Sequence, residues 1–194
     1  MQVWRKDGMA TAFDNLAPRM VAELMRDLDL TAEQAAGIVG NGGAESGLLA
    51  INEKSPIVPG SRGGYGFFQW TGPRRRAFEK WAVEQGFPLD SYEANYGFLV
   101  HELKTSEKDA LRRLRLTKTA KAAAETFEAG YERAGVKAWA TRVRFAERAL
   151  ALYRASLPPP EPIEEATIAT LQRDIAALSK QVADLTVQVA KLQR

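Results

Sequence analysis

Four of the nine prolines fall within Leu157-Pro158-Pro159-Pro160-Glu161-Pro162. Each fixes φ and removes a backbone donor, so neither a helix interior nor a central strand crosses this stretch, and the run acts as a stiff spacer. The chain is therefore predicted to fold as two unequal parts. Residues 1–156 form a globular domain, residues 157–163 a proline-rich linker, and residues 164–194 a helical appendage. The appendage has no glycine and no aromatic residue. Ile168, Leu171, Ile175, Leu178, Val182, Leu185, Val189 and Leu192 follow a 3–4 spacing without a break. The a positions are β-branched and every d position is leucine, the combination that suits two-stranded parallel coiled coils. The e and g positions are mostly neutral (Gln172, Ser179, Gln181, Thr186, Gln188), so little charge coding selects a partner. Alanines at 169, 176, 177, 183 and 190 widen the apolar face, which leaves three or more strands open. A homo-oligomer joined through residues 164–194 is the expectation. The alternative is a helix docked on its own globular domain.

Composition narrows the chemistry of the larger part. With no cysteine the chain has no disulfide, iron–sulfur cluster or cysteine nucleophile, and its single histidine excludes a three-histidine zinc site. No metal and no cofactor is expected. Hydrophobic residues make up 45% and charged residues 26%, in keeping with a soluble globular protein. No apolar run approaches the ~20 residues of a membrane span. Arg5, Lys6 and Asp7 are followed by no apolar stretch, so no signal peptide is expected.

The globular part reads as mainly α. Pro18 is suited to the first position of a helix whose Met20, Val21, Leu24, Met25 and Leu28 share a face. Thr31 and Gln34 form a capping-box pattern before a helix running toward Glu45, and Asp90 and Glu93 a similar one before Tyr96, Leu99, Val100 and Leu103. Further helices are predicted over 107–116, 119–128 and 137–154. Residues 50–66 hold Asn52, Pro56, Pro59, Gly60, Gly63, Gly64 and Gly66, which reads as loop or a small hairpin of the kind that carries function.

Two segments concentrate unusual residues: Asn41-Gly42-Gly43-Ala44-Glu45-Ser46-Gly47 and Gly64-Tyr65-Gly66-Phe67-Phe68-Gln69-Trp70-Thr71-Gly72. Small residues flank Glu45 and keep bulk away from its carboxylate. A helix C-terminus and nearby Phe67, Phe68 and Trp70 both disfavour a negative charge there, which suits a proton donor. The plain alternative is a solvated surface glutamate. Tyr65, Phe68, Gln69, Trp70 and Thr71 read as the lining of a cleft, an aromatic platform with an amide beside it. The competing assignment for Phe67, Phe68 and Trp70 is core. His101, between Val100 and Glu102, reads as structural.

The run Ala36-Gly37-Ile38-Val39-Gly40-Asn41 through Glu45-Ser46-Gly47, followed by Gly64 to Trp70-Thr71-Gly72-Pro73-Arg74, resembles the phage tail lysozyme family over roughly residues 15–155. The resemblance implies a lysozyme-like α+β fold with a small β-hairpin lobe, and a muramidase that cuts the glycan strands of peptidoglycan. It implies Glu45 as the general acid that protonates the glycosidic oxygen. Lysozyme folds commonly carry their second acidic group on or near the hairpin, which favours Glu53 over the more distant Asp90 as the partner carboxylate. If neither is in reach, the same glutamate suits lytic transglycosylation, in which the muramyl 6-hydroxyl closes an anhydro ring. A non-catalytic glycan-binding phage structural protein is a further alternative.

Basic clusters at Arg74-Arg75-Arg76, at Arg112, Arg113 and Arg115, and at Arg142, Arg144 and Arg148 are placed to draw the chain to anionic wall polymer. The same positive surface suits nucleic acid, so charge alone does not decide, and a basic nucleic-acid module stays as a weaker alternative with two features against it. The net charge of +3 is small, and no helix-turn-helix register or zinc-finger spacing is present. The expected location is the host cytoplasm before holin-dependent release, as an endolysin, or the virion, as a tail-associated lysin.

Overall fold

The computed structural model describes residues 11–53, 56, 60–133, 138–159 and 165–192. By internal contacts the chain divides into Met1–Leu157 and Pro158–Arg194. The first unit holds α1 (Ala12–Leu28), α2 (Ala32–Ser46), α3 (Gly72–Gln85), α4 (Tyr92–Lys104), α5 (Lys108–Leu114), α6 (Ala120–Phe127), a π-helical turn (Glu128–Glu132) and α7 (Trp139–Ser156). The second holds α8 (Glu165–Leu192).

The centre of the first unit is α2, where every residue from Gln34 to Gly43 is buried. A helix buried all round needs partners on every side, and α2 packs against α1, α6 and α7. Small residues make the close approach possible. A Cβ on Gly37 would lie 2.4 Å from the Cβ of Ala123 on α6, and one on Gly40 would lie 2.5 Å from the backbone nitrogen of Ala146 on α7. The start of α2 is fixed by the Thr31–Gln34 capping box. Its end is fixed by Gly47 at φ 67°, whose N–H reaches back to the carbonyl of Gly43 at 3.0 Å.

Two helix starts differ from the sequence reading. The first helix begins at Ala12, because Thr11 and Asp14 form a full capping box six residues before Pro18 is reached. Pro18 therefore sits inside α1. The N-cap of α4 is Ser91, whose hydroxyl accepts from the N–H of Ala94 at 3.1 Å, one residue beyond the expected Asp90.

The expected α+β class, with its small β-hairpin lobe, is corrected by the structure: the described residues are all-α and contain no β-strand. Where the hairpin was expected, only isolated antiparallel bridges form, Asn52 with Tyr65 and Tyr65 with Trp70. The glycines that suggested a turn are too many for a ladder. Gly63 and Gly66, on either side of the bridging Tyr65, take φ values of 70° and 81°, outside the extended region that a continued ladder needs.

Candidate active site

Glu45 is the penultimate residue of α2, with its side chain 23% exposed. The helix end beneath it is tied to the irregular segment by Ser46, whose hydroxyl donates to the carbonyl of Phe67 at 3.0 Å and accepts from the N–H of Leu49 at 3.2 Å. Arg142 reaches Glu45 from α7. Its Nη2 donates to Glu45 Oε1 at 2.5 Å, while its Nη1 donates to Asn41 Oδ1 at 3.0 Å. Asn41 lies one helical turn before Glu45. Its own amide nitrogen donates to the carbonyls of Gly37 at 2.9 Å and Ala124 at 3.0 Å, which turns its oxygen toward Arg142. The guanidinium is 4% exposed in its side chain, so it is held rigidly and the carboxylate is aimed by it.

A cavity of about 1050 Å³ opens beside this pair. Its walls are the start of α1 at Thr11–Phe13, the end of α2, residues 49 and 51–53, and Thr141, Arg144 and Phe145 of α7. Glu45, Glu53 and Gln69 all line it. Glu53 Oε2 accepts from the N–H of Gly64 at 2.9 Å. The neighbouring Gly63 must be glycine: its φ is 70°, and a Cβ there would sit 3.0 Å from both Cβ and Oε2 of Glu53. Gln69 has φ 47° and spends its amide nitrogen on the carbonyls of Ile51 at 3.0 Å and Gly66 at 2.9 Å. It ties the loop together at the cavity wall.

Tyr65, Phe68, Trp70 and Thr71 are not among the residues that line this cavity. Trp70 and Phe68 are core. Trp70 stacks on Phe78, and Phe68 packs edge-on to Phe127 and Tyr131. Tyr65 is half-buried against Phe78, with the Arg75 guanidinium 5.2 Å above its ring. Thr71 is the exposed N-cap residue of α3. Asp90 lies in the exposed turn before α4, also away from the cavity.

The buried end of Trp70 meets a polar cluster that holds α3, α4 and the π turn together. Its Nε1 donates to Glu102 Oε2 at 2.9 Å and to the Tyr131 hydroxyl at 3.0 Å. Arg74 meets Glu102 with two bonds, at 2.9 and 2.8 Å, and the Tyr131 hydroxyl donates to Glu102 Oε2 at 2.6 Å. Burial, with the Glu102 charge beside it, pushes the Tyr131 phenol well above its ordinary range.

Three further residues belong to the surroundings of Glu45, and sequence alone places none of them in the site. By sequence Asn41 is a small polar residue of the motif, and Arg142 belongs to a basic cluster with Arg144 and Arg148. Glu132, the last residue of the π turn, was not singled out. Its Oε1 is buried without a hydrogen-bond partner. Burial, and next the Glu45 charge, push its carboxyl up to about 8.

Among the described residues no helix is long and apolar enough to cross a membrane. No curated protein gives a significant match to the chain. The profile of the family described as phage tail lysozyme does match, over residues 17–153, a span that contains Glu45, Glu53, Gln69, Glu132 and Arg142. With that match across most of its length, the chain belongs to the phage tail lysozyme family, and its activity is lysozyme-like hydrolysis of glycan with peptidoglycan as the polymer it meets.

Proposed function

We propose that the chain is a muramidase that cleaves the β-1,4 bond between N-acetylmuramic acid and N-acetylglucosamine, with Glu45 as general acid and Glu53 as the second carboxylate. The observation that carries this reading is the opening of both side chains onto one cavity. In the proposed step Glu45 gives its proton to the leaving glycosidic oxygen. The carboxylate left behind meets a guanidinium already in hydrogen-bond range, so Arg142 stabilises charge as it develops. Glu53, aligned by the Gly64 N–H, faces the positive charge that builds on the sugar ring. Leu49 and Ile51 are exposed apolar side chains on the cavity wall and offer contact to the apolar faces of the sugars. The protein acts either after holin-dependent release from the host cytoplasm or as part of the virion.

The test is mass spectrometry of peptidoglycan fragments after digestion by the wild-type chain and by Glu45→Gln. Reducing muramic ends are expected from the wild type. The variant is expected to lose ~10²–10⁴-fold in rate, since an amide fills the same space but delivers no proton. Anhydro-muramic ends would replace hydrolysis with transglycosylation at the same bond. Full cleavage by folded Glu45→Gln would remove Glu45 from the chemistry.

A further inference from the structure

The arginines of α7 are Arg142, Arg144, Arg148 and Arg154, and all but one are spent on carboxylates from other helices. Arg142 holds Glu45 and Asn41. Arg148 meets Asp14 of α1 with bonds at 2.7 and 2.8 Å, and Arg154 meets Glu33 of α2 at 2.7 Å. Arg144 differs. It is exposed, it lines the cavity, and among the described residues it makes no hydrogen bond or ion pair. Its guanidinium lies 6.0 Å from the centroid of the Phe145 ring, a contact that uses none of its N–H donors. Thr141, Arg144 and Phe145 stand at i, i+3 and i+4, so one face of α7 forms this wall.

The charged residues that line the cavity are Glu45, Glu53 and Arg144. The two glutamates have roles in cleaving the bond. The uncommitted cation has none there, and the N-acetylated sugar rings themselves carry no charge for it to meet. One sugar of the strand does carry an acidic substituent. N-acetylmuramic acid bears a lactyl group at O-3, which ends either in its own carboxylate or in a stem peptide with carboxylates of its own. Such a group is ionised at neutral pH. Glu53 repels it, and a cation on another wall of the same cavity offsets that repulsion. A guanidinium also presents two parallel N–H groups to the two oxygens of a carboxylate. We propose that Arg144 is a specificity-determining residue that binds the carboxylate carried at O-3 of the muramic acid unit. The proposal rests on the cavity being the glycan site.

Binding to the full chain tests this without any cleavage. The disaccharide with N-acetylglucosamine linked to a reducing N-acetylmuramic acid lacks the bond that a muramidase cuts. Three probes are titrated by NMR: this disaccharide with a free lactyl group, the same disaccharide bearing a stem peptide, and the neutral disaccharide of N-acetylglucosamine. Wild type should prefer the acidic probes. Arg144→Gln should bind them about fivefold more weakly, the scale of one solvent-exposed ion pair, and bind the neutral probe as before. Arg144→Lys, which keeps the charge, should recover part of the preference. Arg76→Gln removes the same charge from an exposed position outside the cavity and should change nothing. A loss confined to the free lactyl probe assigns the lactyl carboxylate, and one confined to the peptide-bearing probe assigns the stem. Circular dichroism serves as the fold control. An Arg144→Gln chain with the wild-type preference overturns the proposal, as does an equal loss for the neutral probe or an equal loss in Arg76→Gln. A wild type that binds none of the three probes removes the glycan site itself, and this proposal with it.

Discussion

The indole of Trp70 is 1% exposed and stacks on Phe78 with ring centroids 4.8 Å apart, while Phe98 packs edge-on at 5.1 Å. Its one polar atom is satisfied by Glu102 and Tyr131. A ring so placed contributes packing, and Trp70→Ala should cost ~3–5 kcal/mol of stability. Urea unfolding reads that loss directly. Turnover per folded molecule, measured at low temperature, should stay near wild type, and a large loss of turnover in the folded fraction would return Trp70 to the cleft. The contrast with Glu45 shows what a sequence can carry at this scale. The setting of Glu45 is local: its helix, its glycines and its loop all lie within a few residues, so its place at a helix end beside an irregular segment was legible. The inward turn of Trp70 depends on positive φ at Gly66 and at Gln69, and nothing in the identity of a glutamine announces φ 47°. Arg142 is 97 residues from Glu45 in sequence and looks like any surface arginine until α7 is packed on α2. Glu132 becomes special only when Glu45, Arg142, Arg74 and Glu102 converge on it from four helices.

At the scale of elements, α2 carries the architecture, and its glycines mark where other helices touch it. Replacing a helical glycine with alanine ordinarily stabilises by ~1 kcal/mol, because the backbone loses less freedom. At Gly40 the sign should reverse. The new Cβ would lie 2.5 Å from the backbone nitrogen of Ala146 and 2.7 Å from its Cα, and backbone atoms do not rotate away as a flexible side chain does. Gly40→Ala must push α7 off α2, at a cost of ~1–3 kcal/mol. That shift also moves Arg142, which rides on α7 and bridges to Glu45. Thermal unfolding should show a lower melting temperature, and turnover per folded molecule should fall with it. A Gly40→Ala chain as stable as the wild type would mean that the two helices do not meet this closely. Helix starts with paired caps were legible, as at Thr31 with Gln34, because both partners sit in one short window. The absent hairpin was not. Glycine supports a hairpin turn when there is one and dissolves the flanking ladder when there are several, and residues 60–66 are on the second side of that divide.

At the scale of the whole molecule, α8 carries an exposed apolar seam. The helix runs unbroken for 28 residues, about 42 Å at 1.5 Å per residue, and four heptads of seam lie along it. Leu171, Ile175, Leu178, Val182, Leu185 and Val189 are exposed on it. A stripe of that length in water is a docking face in search of a partner, and an isolated helix draws most of its stability from burying such a face. We propose a second copy of the same helix as the partner. Leucine at each d position and β-branched residues at each a position interlock as knobs and holes in a parallel pair, and sparse charge at e and g sets no bar to self-pairing. The proline run should then keep the catalytic heads free of one another, so the pair raises attachment to a repetitive polymer without changing either site. Sedimentation of the full chain at about 100 μM should give a dimer or a small parallel oligomer, since a seam of four heptads supports association in that range. A chain ending at Ser156 should sediment as a monomer, cleave soluble fragments at the full-length rate per head, and bind whole sacculi more weakly. A monomeric full-length chain would leave the seam to another protein, and equal binding of both chains to sacculi would separate the tail from wall attachment altogether.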